Sequence, residues 1–274
     1  MDINQKTERL LKSFINRPTS SVIIHGDEYD GVDQIIEDFS SQLLGLSYKN
    51  NRIEIKPEDG KPITIEQARF LKKTMQNKLH TENEIARVGI VWRADTATRE
   101  AQNALLKLIE EPVEHTVLIL QCDDTQRLLP TVRSRCQIVS ILPLEKSVAV
   151  TIATKQGVSD TEARKAYTLS KGKARLFQRL LNDPGTTPDS IINAKKFLQD
   201  SVSVRLQQSK SYDSPEKIID LIEGIDLITH AALQTPRKDA NKFYHILSEI
   251  RECKKLLSQN ALVKLVYLRL CVNL

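Results

Sequence analysis

AQNALLKLIEEP (residues 101–112), TVLIL (116–120) and LLPTVRSRCQ (128–137) form two dense local patterns joined by one apolar run. In the first, Ala101, Ala104, Leu105, Leu108 and Ile109 recur at i, i+3, i+4, i+7 and i+8, a spacing that puts one apolar face on a helix. Pro112 stops that helix because it has no N–H to continue the ladder, and Thr98 stands where a cap would start it. Glu110 and Glu111 break a local rule, since the helix dipole disfavours negative charge at the C-terminal end. TVLIL is short and β-branched, as suits a strand buried on both faces. Arg127, Arg133 and Arg135 then cluster where the chain turns back.

Towards the N-terminus, the spacing of Leu10, Leu11, Phe14 and Ile15 predicts a helix over 7–15, and SVII (21–24) reads as a buried strand. The loop HGDEYDGVD (25–33) runs into a helix over 32–44, with Ile35, Ile36, Phe39, Leu43 and Leu44 on one side. Strand, glycine-containing loop and helix is the layout of a phosphate-binding loop. Such a loop needs a lysine for the β and γ phosphates and a hydroxyl for magnesium. Aligned on Gly26 and Gly31, this one has Val32 at the lysine position and Asp33 at the hydroxyl position. Asp27, Glu28 and Asp30 add like charge that would meet a triphosphate, so nucleotide binding of the ATPase kind is not expected. The acidic residues leave two further readings, a divalent-cation loop and a plain solvated turn. RIEI (52–55) and RVGIV (87–91) read as further strands. Between them the turn PEDGKP (57–62) leads to a helix over 64–78 striped by Ile65, Ala68, Leu71 and Met75.

Towards the C-terminus, 147–181 reads as three short helices, with Lys171, Lys173 and Arg175 at the start of the third. That basic group suits a solvated helix start, with contact to DNA phosphates as the alternative. NDPGTTPDS (182–190) has the composition of a linker, and beyond it helices are predicted over 191–208, 215–233, 238–257 and 261–270.

Two or more domains are expected from 274 residues, and 40% hydrophobic with 27% charged residues is ordinary for a globular protein in water. The net charge of +5 permits contact with nucleic acid without requiring it. Residues 1–10 show no signal-peptide core, and no apolar run is long enough to span a bilayer. Cys122, Cys136, Cys253 and Cys271 are too widely spread for a zinc or redox motif, which fits a reducing, cytoplasmic setting.

NALLKLIEEP followed by LLPTVRSRCQ, at this separation, resembles the central signature of the clamp-loader subunits of bacterial DNA polymerase III, above all the delta prime type. The resemblance implies an α/β AAA+ parallel-sheet domain over 1–144 with a degenerate nucleotide site, a three-helix lid over 145–185 and an all-α collar over 186–274. It puts Trp92 and Arg93 where active relatives carry the acidic pair that holds magnesium and activates water. Asp95 is left as a cap for the next helix, and the acidic tip 122–125 lies where a γ-phosphate sensor would be. No cysteine falls in 45–51, where such subunits carry a zinc module, so neither metal nor cofactor is expected. Ser134, Arg135 and Cys136 match the motif that presents an arginine to ATP held by a neighbour; pairing of Arg135 with Glu110 or Glu111 inside the fold is the other reading. Cys136 itself reads as a small buried residue opening the strand QIVSIL (137–142). Arg175 lies one residue from the place of a lid arginine, with Leu176 in direct alignment.

The implied function is that of a subunit without ATPase activity of its own, helping to load the sliding clamp on primed DNA. Its expected partners are a gamma/tau-like ATPase, a delta-like subunit, the clamp and primer–template DNA, with no membrane. A clamp-opening subunit, an AAA+ NTPase with unorthodox residues and a DNA-binding adaptor outside replication are the alternatives.

Overall fold

The apolar runs assemble into one parallel sheet. In the computed structural model, residues 3–27, 30–45, 51–58, 61–76, 85–182, 189–233, 240–258 and 261–274 are described. The strands are β1 (Ser21–His25), β2 (Arg52–Ile55), β3 (Arg87–Val91), β4 (Thr116–Cys122) and β5 (Gln137–Ser140), in the order β2-β3-β4-β1-β5. All four pairings are parallel, with Ser21 opposite Leu118, Val22 opposite Gln137 and Arg87 opposite Thr116. Burial on both faces explains why the inner strands show no polar alternation. Val22 and Ile24, with Val88, Ile90, Val117, Ile119 and Val139, face α1 (Gln5–Asn16) and α2 (Val32–Leu44). Ile23, Val91, Leu118 and Leu120 face the other way, onto α3 (Ile65–Met75) and α4 (Arg99–Glu110).

Helix ends follow local chemistry. Asn4 caps α1 through the Lys6 N–H, Thr64 and Gln67 form a reciprocal capping box on α3, and Thr98 accepts from Ala101 N–H to start α4. The helix expected over 64–78 ends at Met75, with Gln76 as its C-cap and 77–78 outside the described residues. A single-turn helix, α5 (Pro130–Arg133), precedes β5. Cys136 is only half-buried and sits one residue before the strand, packed on the α3/α4 side of the core.

The described chain divides into two compact units, one of Met1–Leu144 with Lys173–Arg175, the other of Glu145–Gly172 with Leu176–Leu274. The second is all helix: α6 (Lys146–Lys155), α7 (Asp160–Ser170), most of α8 (Ala174–Asn182), α9 (Asp189–Gln199), α10 (Val202–Gln207), α11 (Pro215–Leu233), α12 (Ala240–Ser258) and α13 (Val263–Asn273). The six central linker residues, 183–188, lie outside the described residues, as do those at the breaks 234–239 and 259–260. One long helix was expected over 191–208, but it is broken at Asp200–Ser201. The break lets α10 turn back so that the buried Arg205 side chain donates to Phe197 O and Leu198 O at the end of α9. Phe197, Ile222, Ile250, Tyr267 and Leu270 fill the core these helices share. At Gly224 a Cβ would lie 2.1 Å from Ser190 O, so α9 and α11 approach as closely as glycine allows. No described helix is long and apolar enough to cross a membrane.

Candidate functional site

Ligands of open parallel sheets bind beyond the C-terminal strand ends, where the strand order reverses. Here β1 lies between β4 and β5, neither its neighbour in sequence, so that place is the loop 26–31 leading into α2. Gly26 is required sterically, since a Cβ there would come within 2.9 Å of Ile141 Cγ1. Gly31 holds φ 77, a left-handed conformation that opens the helix without a side-chain cap.

Two amides of the loop are taken by its own carboxylates. Asp27 N–H donates to Asp30 Oδ2 at 3.2 Å, and Asp30 N–H donates to Asp27 Oδ1 at 3.1 Å. These amides would face a phosphate in a working loop. The Asp27 carboxylate pairs with Lys173, and Asp33 pairs with Arg175. The basic cluster is thus more than a solvated helix start, since Lys173 and Arg175 are ion-paired, while Asp33 stays 53% exposed. Lys171, in the second unit, is engaged as well, 2.8 Å from Asp226. Val32, at the lysine position, is 4% exposed and packs into the core beneath the sheet. Glu28 lies outside the described residues. Among the described residues no three His, Cys, Asp or Glu side chains converge as a metal site would require.

Burial, reinforced by the neighbouring Asp27, pushes the Asp30 carboxyl up to about 6, while Lys173 acts in the opposite sense. A carboxyl raised in the folded state favours folding fully below its unfolded value near 4, and that contribution is lost as pH rises through 6. Asp30→Asn keeps an oxygen for the Asp27 amide and removes the charge. It is expected to stabilise the protein by about 1–2 kcal/mol at pH 7.5 and to give no gain below pH 4, read from thermal melts across that range. A gain that persists unchanged at low pH would contradict the buried-charge explanation.

After β3 the backbone turns at Arg93, held at φ 49. Trp92 is half-buried, packs against the α1/α2 side of the core, and donates from Nε1 to Glu54 Oε2 at 2.5 Å. Arg93 N–H donates to Gln121 Oε1 at 2.7 Å, and its guanidinium lies 3.8 Å from Asp123. The Gln121 amide also donates to Gly26 O and to Asp123 Oδ1, both at 2.8 Å. One buried side chain thus ties together the ends of β1, β3 and β4. Sequence reasoning passed over Gln121; its only signal was a polar residue inside an otherwise apolar strand.

Asp95 does not cap α4, which Thr98 does. Its carboxylate instead accepts from the Asp123 and Asp124 amides at 3.4 and 3.3 Å, fixing the acidic tip after β4. Burial first, then repulsion from Asp123, pushes the Asp95 carboxyl up to about 6.

Arg135 lies just after α5, away from this network. Its Nε is 2.9 Å from Glu110 Oε1, so the pairing raised as the second reading of this arginine is present. Its Nη1 donates to Thr131 O at 3.2 Å and to Ser134 Oγ at 3.4 Å. Both side chains of the pair are nearly half exposed, at 44% and 46%. Gly26, Gly31, Val32, Asp33, Trp92 and Arg93 thus follow β1 and β3 at the C-terminal end of the sheet. Arg135 stands apart as an accessible cation.

The fold is similar to those of solved structures. A DNA polymerase III gamma subunit-related protein from Thermotoga maritima aligns with a TM-score of 0.50 at 19% identity over 97% of both chains. The RuvB Holliday junction branch migration motor of Thermotoga maritima also gives 0.50, at 13% identity, covering 74% of this chain and 80% of its own. These likenesses show the fold class, an α/β AAA+ fold with a helical C-terminal region. Within that class the chain belongs to the family described as DNA polymerase III, delta subunit, whose model matches residues 4–145.

DNA polymerase III subunit delta' of Haemophilus influenzae is 31% identical over 131 residues, covering 47% of this chain and 39% of its own. The Escherichia coli K12 delta' subunit is 40% identical over 86 residues, covering 30% and 26%. The replication factor C small subunit of Picrophilus torridus is 24% identical over 277 residues, covering 91% and 85%. The matched stretches thus span under two-fifths of the length of these two bacterial relatives.

Proposed function

We propose that this chain is a delta prime-like subunit of a bacterial DNA polymerase III clamp loader, one that holds no ATP itself and offers Arg135 to ATP bound by the adjacent subunit. The observation that carries the reading is the state of the loop 26–33. A buried Val32 replaces the lysine, Asp27 and Asp30 take up each other's amides, and Lys173 and Arg175 neutralise Asp27 and Asp33. A triphosphate would have to displace carboxylates from their own partners and then face them. Trp92 and Arg93 offer no oxygen for magnesium and no base for water, so hydrolysis lacks a second element too.

Under this reading residues 1–144 are the AAA+ domain, 145–185 the lid and 186–274 the collar that joins a hetero-oligomeric ring in the cytoplasm. The partners are a gamma/tau-like ATPase, a delta-like subunit, the sliding clamp and primer–template DNA. The isolated chain is expected to show no heat of binding with MgATP up to millimolar concentration. Mixed with the ATPase and delta-like subunits, it is expected to form a stable complex whose clamp loading depends on it. Saturable triphosphate binding would sink the reading in favour of an unorthodox NTPase, and tight binding to the clamp without other subunits would favour a clamp-opening subunit.

A further inference from the structure

The geometry points to Glu110 as a positioning residue for Arg135, an inference that rests on the trans-arginine reading above. An arginine that acts on a neighbour's phosphate must reach across a subunit boundary, and a long side chain free in water is spread over many rotamers. Arg135 is not free in that sense. Glu110 holds Nε at 2.9 Å, while Thr131 O and Ser134 Oγ take Nη1 at 3.2 and 3.4 Å. Two of the three guanidinium nitrogens are held within its own subunit, and Nη2 carries no hydrogen bond among the described residues. That leaves Nη2 to meet a phosphate oxygen.

The position of Glu110 suits this role and little else. It ends α4, where its charge opposes the helix dipole and adds nothing to the helix itself. It is also 46% exposed, so the pair with Arg135 adds little to folding stability. A carboxylate kept at an unfavourable helix end, spanning 25 residues to one arginine, is accounted for by what it does to that arginine's direction. Glu111, next to it, has no ion pair among the described residues, so the assignment falls on one of the two glutamates.

The test uses the reconstituted complex, with the other ATPase sites silenced by substitution of their loop lysines, so that turnover reports the site facing Arg135. Glu110→Ala is expected to lower kcat by about threefold to fivefold, the effect of a catalytic group left loosely placed, with KM for ATP changed by less than about twofold. Glu110→Gln, which keeps the side chain's length and an acceptor oxygen but not its charge, is expected to recover part of the rate. Arg135→Ala is run beside them. If Arg135→Ala is slow and Glu110→Ala is not, positioning by Glu110 is wrong and the trans arginine stands. If Arg135→Ala turns over normally, both fall. A faster Glu110→Ala complex would also overturn the inference, because the carboxylate would then be competing with phosphate for the guanidinium.

Discussion

Arg135→Ala is expected to leave the fold and the assembly of the complex intact while slowing ATP hydrolysis at the facing site by about a thousandfold. The size follows from what a guanidinium supplies to phosphoryl transfer, a permanent charge and a fork of donors aimed at oxygens that gain charge in the transition state. The cost to this subunit is small. With both partners nearly half exposed, the Arg135–Glu110 pair contributes less than about 1 kcal/mol, and its loss returns Glu110 to water. Arg135→Lys keeps the charge but loses the fork, so an intermediate rate is expected. Single-site turnover together with a thermal melt separates the two effects. Normal turnover in Arg135→Ala, or a melt lowered enough to dissolve the complex, would remove the proposed role.

The largest stability effect is expected at Arg205, with Arg205→Ala destabilising the helical unit by about 3–5 kcal/mol in urea unfolding followed by circular dichroism. The residue is 5% exposed, and its guanidinium has no ion pair among the described residues. Backbone carbonyls hold it instead: Phe197 O at 2.7 Å, Leu198 O at 3.4 Å and Cys271 O at 3.5 Å. The first two belong to the end of α9, where the helix dipole is negative and carbonyls lack partners. The charge also lies 4.6 Å over the Phe197 ring, and Tyr267 donates to Arg205 O at 2.8 Å. Truncation therefore opens a cavity and strands carbonyls from two helices at once. Arg205→Met, which fills the space but donates nothing, should recover only the packing part. A loss below about 1 kcal/mol for Arg205→Ala would mean that water replaces the guanidinium without strain.

These cases mark what was legible in the sequence. The strands could be read because parallel strands covered on both faces leave uninterrupted apolar runs, and α4 because its stripe, Thr98 cap and Pro112 stop agree. The start of α2 at Gly31 could be read because a glycine that opens a helix carries its own geometry. What escaped depends on residues distant along the chain. Lys173 reaches Asp27 across 146 positions and Gln121 reaches Gly26 across 95, separations at which local pattern carries no information. The break at 200–201 escaped because the apolar spacing runs on through it, and only Arg205 turning back explains it. Asp95 escaped because its sequence neighbours suggested a cap, while its partners arrive with the end of another strand.

Trp92 carries one more consequence. It is the sole tryptophan of the chain and stands at the end of β3, its indole N–H on Glu54 and its ring against the sheet's apolar face. Ultraviolet emission excited at the indole band therefore arises from one known spot, a few residues from the Gln121 knot. The molecule thus has its own optical gauge, able to follow in real time, without any attached dye, whether the C-terminal end of the sheet shifts when another protein is added.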